Sequence, residues 1–294
     1  YYIESILGDK DESAKVIFKD DGMVDILVGT QSNGQGHETV FAQFLSDQTG
    51  IPADHIRVVQ GDSDLIARGG GTGGSRSGTV QANATLQTVA VMQKAFRAFL
   101  SDKLDVDADQ IVFDDERFRA PGSNLSPTFL EVADMARAAG REDLMQHSAY
   151  AVLDSRSFPN GAHICEVEID PDTGAVEVAR YSVVDDFGNL LNPMLVEGHV
   201  HGGVAQGIGQ AISEHVVYDD QGQLLSASLM DYAVPRAKDV PFYQFETEPL
   251  PTTTNVMGMK GCGEAGTVGA LAAVSNAVHD ALSCRGVRQL DMPF

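Results

Sequence analysis

Three short glycine-rich segments, each leading into a helical spacing of apolar residues, constrain this chain more than any other feature. They are Gly34-Gln35-Gly36-His37-Glu38-Thr39, Gly71-Thr72-Gly73-Gly74-Ser75-Arg76-Ser77-Gly78 and Gly261-Cys262-Gly263-Glu264-Ala265-Gly266. Glycine lets backbone N–H groups come close to an anion, and the helix that follows adds a favourable dipole. Three such junctions in one chain predict a bound anionic cofactor carrying phosphate or oxo groups. Hydroxyls and Arg76 in the second segment suit phosphate. Each junction taken alone also reads as a tight turn.

The segments sit inside a pattern that occurs twice. Lys15–Phe18 and Met23–Val28 flank Asp20-Asp21-Gly22, a hairpin signal. The first glycine-rich segment follows, then a helix with Val40, Phe41, Phe44 and Leu45 on one face, closed by Gly50 and Pro52. Ile56–Val59 reads as a short strand. After Gly69 to Gly78 comes a long helix to about Leu100. His163–Ile169 and Ala175–Val184 form a second hairpin around Pro171-Asp172-Thr173-Gly174. Gly198 to Gly209 reads as a further glycine-rich stretch leading into a helix at Gln210-Ala211-Ile212. The last helix shows Val268, Leu271, Val274, Val278 and Leu282 on one face. The expected fold is α+β, with two related two-layer α/β sandwich subdomains over 1–150 and 151–294 and glycine-rich loops leading into helices. The repeat is one of architecture rather than of sequence.

Composition excludes several classes. The 294 residues carry 42 acidic and 20 basic side chains, a net charge of −22. That sign argues against nucleic acid and anionic membranes as partners. No apolar run reaches the roughly 18 residues that a spanning helix needs. Cys165, Cys262 and Cys284 form no CxxC pair, so neither an iron–sulfur cluster nor structural zinc is expected on this chain. A reducing, cytoplasmic location is the expectation. Tyr1-Tyr2-Ile3-Glu4 reads like the interior of a protein, and the chain is expected to be a fragment or processed piece.

Two nucleotide-binding readings fail. Gly69, Gly71 and Gly74 satisfy G-x-G-x-x-G, but Asp62-Ser63-Asp64-Leu65 before them is no buried parallel strand. No P-loop pattern is present. His37, His199 and His201 lack acidic or cysteine partners at metal spacing; on a strand, His199 and His201 would share a face. Cys165 reads as a core residue. Glu264 is different, because packing poorly explains a carboxylate in a glycine-rich, helix-leading loop.

At these residues the sequence resembles the C-terminal portion of the molybdenum-binding large subunit of the xanthine oxidase and aerobic carbon monoxide dehydrogenase family. The resemblance rests on the three segments above, on Asp185-Asp186-Phe187-Gly188-Asn189 with Asn192-Pro193, and on His201 to Gly209, in that order. It implies a molybdopterin cofactor, in bacteria often the cytosine dinucleotide, whose molybdenum is held by the cofactor's dithiolene and by no protein side chain. Gln35, Gly36 and His37 would approach the metal and pterin. Thr72, Gly74, Ser75, Arg76 and Ser77 would hold the pterin and its phosphates. Asp186, Phe187, Asn189, Gln206, Lys260, Gly261, Cys262 and Gly263 would add cofactor contacts. Glu264 corresponds to the single active-site glutamate and would be the catalytic base. The implied activity is hydroxylation of an aldehyde, an N-heterocycle or a similar small substrate, or oxidation of carbon monoxide, with oxygen from water.

The implied partners are the upstream half of the molybdenum subunit and subunits carrying iron–sulfur clusters and FAD. Phe187 departs from the cysteine that the carbon monoxide enzymes tend to carry, which argues against a strict carbon monoxide assignment. The competing reading is a non-catalytic module that grips a phosphate or nucleotide. Glu264 counts against it, since a carboxylate in an anion loop repels the ligand.

Overall fold

The computed structural model describes residues 1–294, which fall into two compact units. The first comprises Leu7–Arg156 with Thr254–Met257. The second comprises Ser157–Thr253 and Gly258–Phe294 together with Tyr1–Ile6. The fold is α+β. The N-terminal residues therefore do not belong to the unit that follows them in sequence. Strand β1 (Tyr2–Ile3) pairs antiparallel with β8 (Asn160–Ile169), and Tyr2 is buried there, its hydroxyl donating to Asp185 at 2.9 Å. No periodicity in so short a strand could have signalled this.

In the first unit, β2 (Asp11–Phe18) and β3 (Val24–Val28) form the expected hairpin, with Gly22 at φ 81° in its turn. β4 (Ile56–Val59) joins β3 in parallel, and β7 (Gln146–Val152) joins β2 antiparallel, giving the order β4-β3-β2-β7. A small hairpin, β5 (Val112–Asp114) and β6 (Arg117–Arg119), stands apart from this sheet. Helices α1 (His37–Thr49), α2 (Ser77–Leu104) and α3 (Phe129–Ala138) bury Phe41, Leu45, Met92, Phe96 and Phe129 in one core with Val16, Phe18 and Ile26 of the sheet. The alternation of β2 is complete: Glu12, Ala14, Val16 and Phe18 point inward while their neighbours do not. The polar residues on the buried face of α2 are satisfied within the helix and by β2. Thr85 and Thr88 donate to carbonyls four residues back, and Gln81 donates to the Ser13 carbonyl.

In the second unit, β8 and β9 (Val176–Asp186) are antiparallel, and β10 (Tyr243–Thr247) lies parallel to β9, so the sheet order is β1-β8-β9-β10. Helices α4 (Pro193–Ile208) and α5 (Ala265–Ser283) bury Val200, Val204, Ala270, Val274 and Val278 with Tyr181 and Val183. The stretch from Gly198 to Gly209, read from sequence as a loop before a helix, is itself the body of α4. Its glycines serve helix–helix packing. A Cβ on Gly203 would stand 2.8 Å from the Thr267 nitrogen, and one on Gly207 would stand 2.5 Å from the Ala270 Cβ. The segment expected as a helix, 210–212, is instead part of a single π turn, Gly209–Ser213, that ends α4. His199 and His201 accordingly lie on a helix, where residues two apart do not share a face. No helix is long and apolar enough to cross a membrane.

Candidate cofactor site

The five α-helices begin in two ways. Thr128 caps α3 with a full capping box, its hydroxyl accepting from the Glu131 N–H while the Glu131 carboxylate accepts from the Thr128 N–H. Asn192 caps α4 through the Leu195 N–H at 3.1 Å. By contrast α1, α2 and α5 carry no side-chain cap, at Gly36, Arg76 and Glu264 respectively. These are the three helices that follow the glycine-rich segments. At these three starts the helix-start residue's own side chain does not satisfy the first N–H groups, and the positive end of each dipole faces the glycine-rich segment before it.

In the first unit, Gly36 has φ 84°, which turns the chain into α1. His37 opens that helix, is buried, and packs on Phe41 with ring centroids 4.8 Å apart. The Gln35 side chain folds back, accepting from the Asn33 N–H and the Ser32 hydroxyl. In the second glycine-rich segment, Thr72 Oγ1 donates to the Gln31 carbonyl at 2.6 Å, and the Ser77 hydroxyl donates to Thr72 at 3.1 Å. Gly74 (φ 64°) and Ser75 (φ 54°) both take the left-handed conformation; for Ser75 this costs on the order of 1 kcal/mol. The glycines divide by role. Gly69, Gly70 and Gly74 are packed against neighbours that a Cβ would strike, whereas Gly71 and Gly73 face open space.

Arg76 corrects the sequence expectation. Its guanidinium does not point outward to grip a phosphate; the side chain is 2% exposed. Nε donates to the Asp9 carbonyl, Nη1 to the Gly71 carbonyl and to Glu12, and Nη2 to the Asp11 carbonyl and to Glu12. All five N–H donors of the group are thereby used. Glu12 is the residue that sequence reasoning missed. The signal was its phase in β2, on the inward side with Ala14, Val16 and Phe18.

In the second unit, β9 ends at Asp186, whose carboxylate accepts from the Gly188 N–H at 2.9 Å, the Leu250 N–H at 3.0 Å and the Lys260 ammonium. Burial raises its pKa, but Lys260 and the two backbone donors outweigh that, and the group sits below the usual carboxylate value. Asp186 and Lys260 are thus spent on each other. The Phe187 ring is buried in the core, while its carbonyl accepts from the Lys260 N–H at 2.8 Å. The Asn189 N–H donates to the Gly258 carbonyl at 3.1 Å. These bonds stitch the segment after β9 to the segment that carries Gly261, Cys262, Gly263 and Glu264. Burial, with Glu4 and Asp185 nearby, pushes the Cys262 thiol up to about 12, so it is no thiolate at neutral pH. Glu264 is exposed at the N-terminus of α5, and its side chain makes no capping hydrogen bond. Gln206 lies exposed on α4, accepting from the Thr267 hydroxyl at 3.3 Å.

The residues present fit an anionic pterin cofactor approached mainly by neutral groups. Two helix N-termini without a cap from the helix-start residue stand here, and Gly71 and Gly73 have open space on the side an approaching ligand would use.

An α+β chain with glycine-rich segments feeding uncapped helices is a cofactor-binding architecture, and comparison with known proteins gives its family. The sequence model of the molybdopterin cofactor-binding domain matches residues 1–241, and the chain belongs to that family. It is 33% identical over 288 residues to the carbon monoxide dehydrogenase large chain of Afipia carboxidovorans, a match covering 96% of this chain and 35% of that one. It is 34% identical over 291 residues to the nicotine 6-hydroxylase large subunit of Paenarthrobacter nicotinovorans, with the same coverage of 96% and 35%. Among solved structures, the carbon monoxide-reduced Cu,Mo carbon monoxide dehydrogenase superposes with a TM-score of 0.89 at 31% identity, over 99% of this chain and 39% of that one. Quinoline 2-oxidoreductase from Pseudomonas putida 86 gives a TM-score of 0.88 at 31% identity, over 99% and 39%. The chain thus spans a little over a third of the length of these relatives.

Proposed function

We propose that this chain is the part of a molybdenum hydroxylase large subunit that binds the molybdopterin cofactor and supplies the catalytic base. The observation that carries this reading is the pairing of uncapped α1, α2 and α5 with glycine-rich segments, one of which presents Glu264 at the helix N-terminus. In the first unit, Gln35, Gly36 and His37 lie on the segment that meets the pterin and metal. Thr72, Gly74, Ser75 and Ser77 form the stretch that holds the pterin and its phosphates. In the second unit, Asn189, Gln206 and Gly261 to Gly263 add contacts, with Asp186, Phe187 and Lys260 shaping the backbone that makes them.

When bound, the molybdenum cofactor supplies two-electron redox chemistry. The chain's own step is a proton transfer: the Glu264 carboxylate accepts the proton that water releases as its oxygen is transferred to the substrate. The exposure of Glu264 at the start of α5 supports that role. The substrate is a small electron-poor molecule such as an aldehyde or an N-heterocycle, and the cofactor carries the cytosine dinucleotide. The remaining segment of the large subunit, together with iron–sulfur and flavin subunits, completes the enzyme and carries electrons away.

Metal analysis tests this reading. The chain is purified alone and joined to the remaining segment of its large subunit, and molybdenum, phosphorus and released cytidine are measured after denaturation. Stoichiometric molybdenum with cytidine is expected in the longer protein and substoichiometric molybdenum in the 294-residue chain. A longer, folded protein free of molybdenum and pterin would overturn the assignment.

A further inference from the structure

We infer that Glu12 is a positioning residue for the cofactor segment 69–78, acting through Arg76 and the Gly70 N–H. This rests on the reading above for the identity of the ligand, but not for the mechanics of the segment.

The carboxylate of Glu12 is 1% exposed and lies on the core side of a strand otherwise filled by Ala14, Val16 and Phe18. A buried charge persists in such a place only when its partners satisfy it. Here they come from one segment and its surroundings. Oε2 accepts from the Gly70 N–H at 3.0 Å and from both Nη atoms of Arg76 at 3.3 Å, and Oε1 accepts from the Ser13 N–H at 2.9 Å. Arg76 in turn grips the Gly71 carbonyl at 2.6 Å and the Asp9 and Asp11 carbonyls at 2.8 and 2.7 Å. One carboxylate thus fixes Gly70 directly, and Gly71 and the start of α2 through the guanidinium.

The glycines around it are explained by the same clamp. A Cβ on Gly29 would fall 2.0 Å from Glu12 Oε1, and one on Gly70 would fall 2.5 Å from Arg76 Nη2. Gly69 packs against the Gly29 backbone, and the Gly71 N–H donates to the Gly29 carbonyl at 3.2 Å. Part of the glycine pattern therefore exists to admit the clamp. The residues it leaves facing open space are Gly71 and Gly73. The clamp holds the segment in the shape that presents Gly71, Thr72 and Gly73.

The test uses Glu12→Gln, and Glu12→Gln with Arg76→Gln, in the assembled enzyme and in the cofactor-free chain. Peptide-resolved hydrogen exchange on the cofactor-free chain should show amides of 69–73 exchanging about tenfold faster or more in Glu12→Gln, the scale of a lost charged hydrogen bond. Amides of β3, β7 and α1 should lose no more protection than the fall in the unit's overall stability, clearly less than those of 69–73. In the assembled enzyme, molybdenum occupancy should fall while turnover per bound molybdenum stays near wild type.

The double variant removes the stranded charge and should recover the thermal midpoint, but not the protection of 69–73 or the occupancy. Wild-type exchange at 69–73 in Glu12→Gln would overturn the proposal. So would protection lost evenly across the first unit, or a double variant that restores both protection and occupancy. A wild-type enzyme that holds no molybdenum would count against the proposed function instead, and the exchange result would still decide the role of Glu12.

Discussion

Arg76 and Lys260 stand beside glycine-rich segments in different units, and in each unit a carboxylate of the same unit neutralises the cation. In the first unit the pair is Glu12 with Arg76, both almost wholly buried. In the second it is Asp186 with Lys260, at 12% and 9% side-chain exposure, joined by two backbone donors. The units differ in what remains. The first retains neutral backbone at two helix ends that the helix-start residue does not cap. The second retains an exposed carboxylate, Glu264, at its uncapped helix end. On the proposed function, the anion would be held by dipoles of the first unit, and the carboxylate that takes the proton would belong to the second.

The largest expected effect breaks the second unit's side of this contrast. Glu264→Gln preserves shape and hydrogen bonding but removes basicity. Turnover in the assembled enzyme should fall by about 10²- to 10⁴-fold, the usual scale of general-base loss, with molybdenum content nearly intact. A fully loaded, fully active variant would end the assignment. The simpler alternative, that Glu264 serves only to cap α5, already lacks its hydrogen bond.

Next come the two clamps. Removing one partner of a buried ion pair strands the other charge, so Arg76→Met should destabilise the first unit by about 3–5 kcal/mol. Lys260→Met leaves Asp186 with the Gly188 and Leu250 N–H groups, the Asn160 side-chain amide and more solvent, and should cost the second unit about 1–3 kcal/mol. The chain has no Trp, so urea unfolding is followed by circular dichroism and by hydrogen exchange resolved to each unit. Equal losses would show that the difference in burial carries no energetic weight.

Acid tests the second clamp. The folded pKa of Asp186 lies below its ordinary 3.8, so its contribution is fully present above about pH 4 and is lost as pH falls through the lowered value. The second unit should therefore lose stability in that window, and Asp186→Asn should flatten the loss. Unfolding midpoints of wild type and Asp186→Asn, measured between pH 5 and about pH 2.5, check this. Parallel curves would refute it.

Much of this was legible in the sequence, and the failures have a common physical origin. The hairpin around Gly22, the segment before α2 and the small-residue run before α5 were readable because local conformation decides them. The body of α4 was misread because glycine-rich composition signals a loop when only neighbours in sequence are considered. Here Gly203 and Gly207 are small because α5 packs on them, some 60 residues away in sequence. Arg76 was misread for the same reason. A guanidinium in a glycine-rich loop suits phosphate until a buried carboxylate 64 residues earlier claims it. Glu12 did leave a trace, as a charge in phase with an apolar strand face, and a charge so placed should be asked for its partner.

The smallest expected effect sharpens the contrast between the two kinds of helix start. If α1, α2 and α5 are uncapped because a ligand supplies what a cap would, then a capped helix should matter to stability alone. Thr128→Ala removes the hydroxyl that accepts from the Glu131 N–H and breaks the reciprocal box at the start of α3. The cost should be about 1 kcal/mol, the usual value for a lost N-cap, seen as a shifted urea midpoint with an unchanged slope. Molybdenum and pterin content of the assembled enzyme should not change, because α3 lies on neither glycine-rich segment of its unit. A Thr128→Ala enzyme that kept its stability but lost its cofactor would mean that capping does not distinguish the helices that serve the ligand from those that serve the fold.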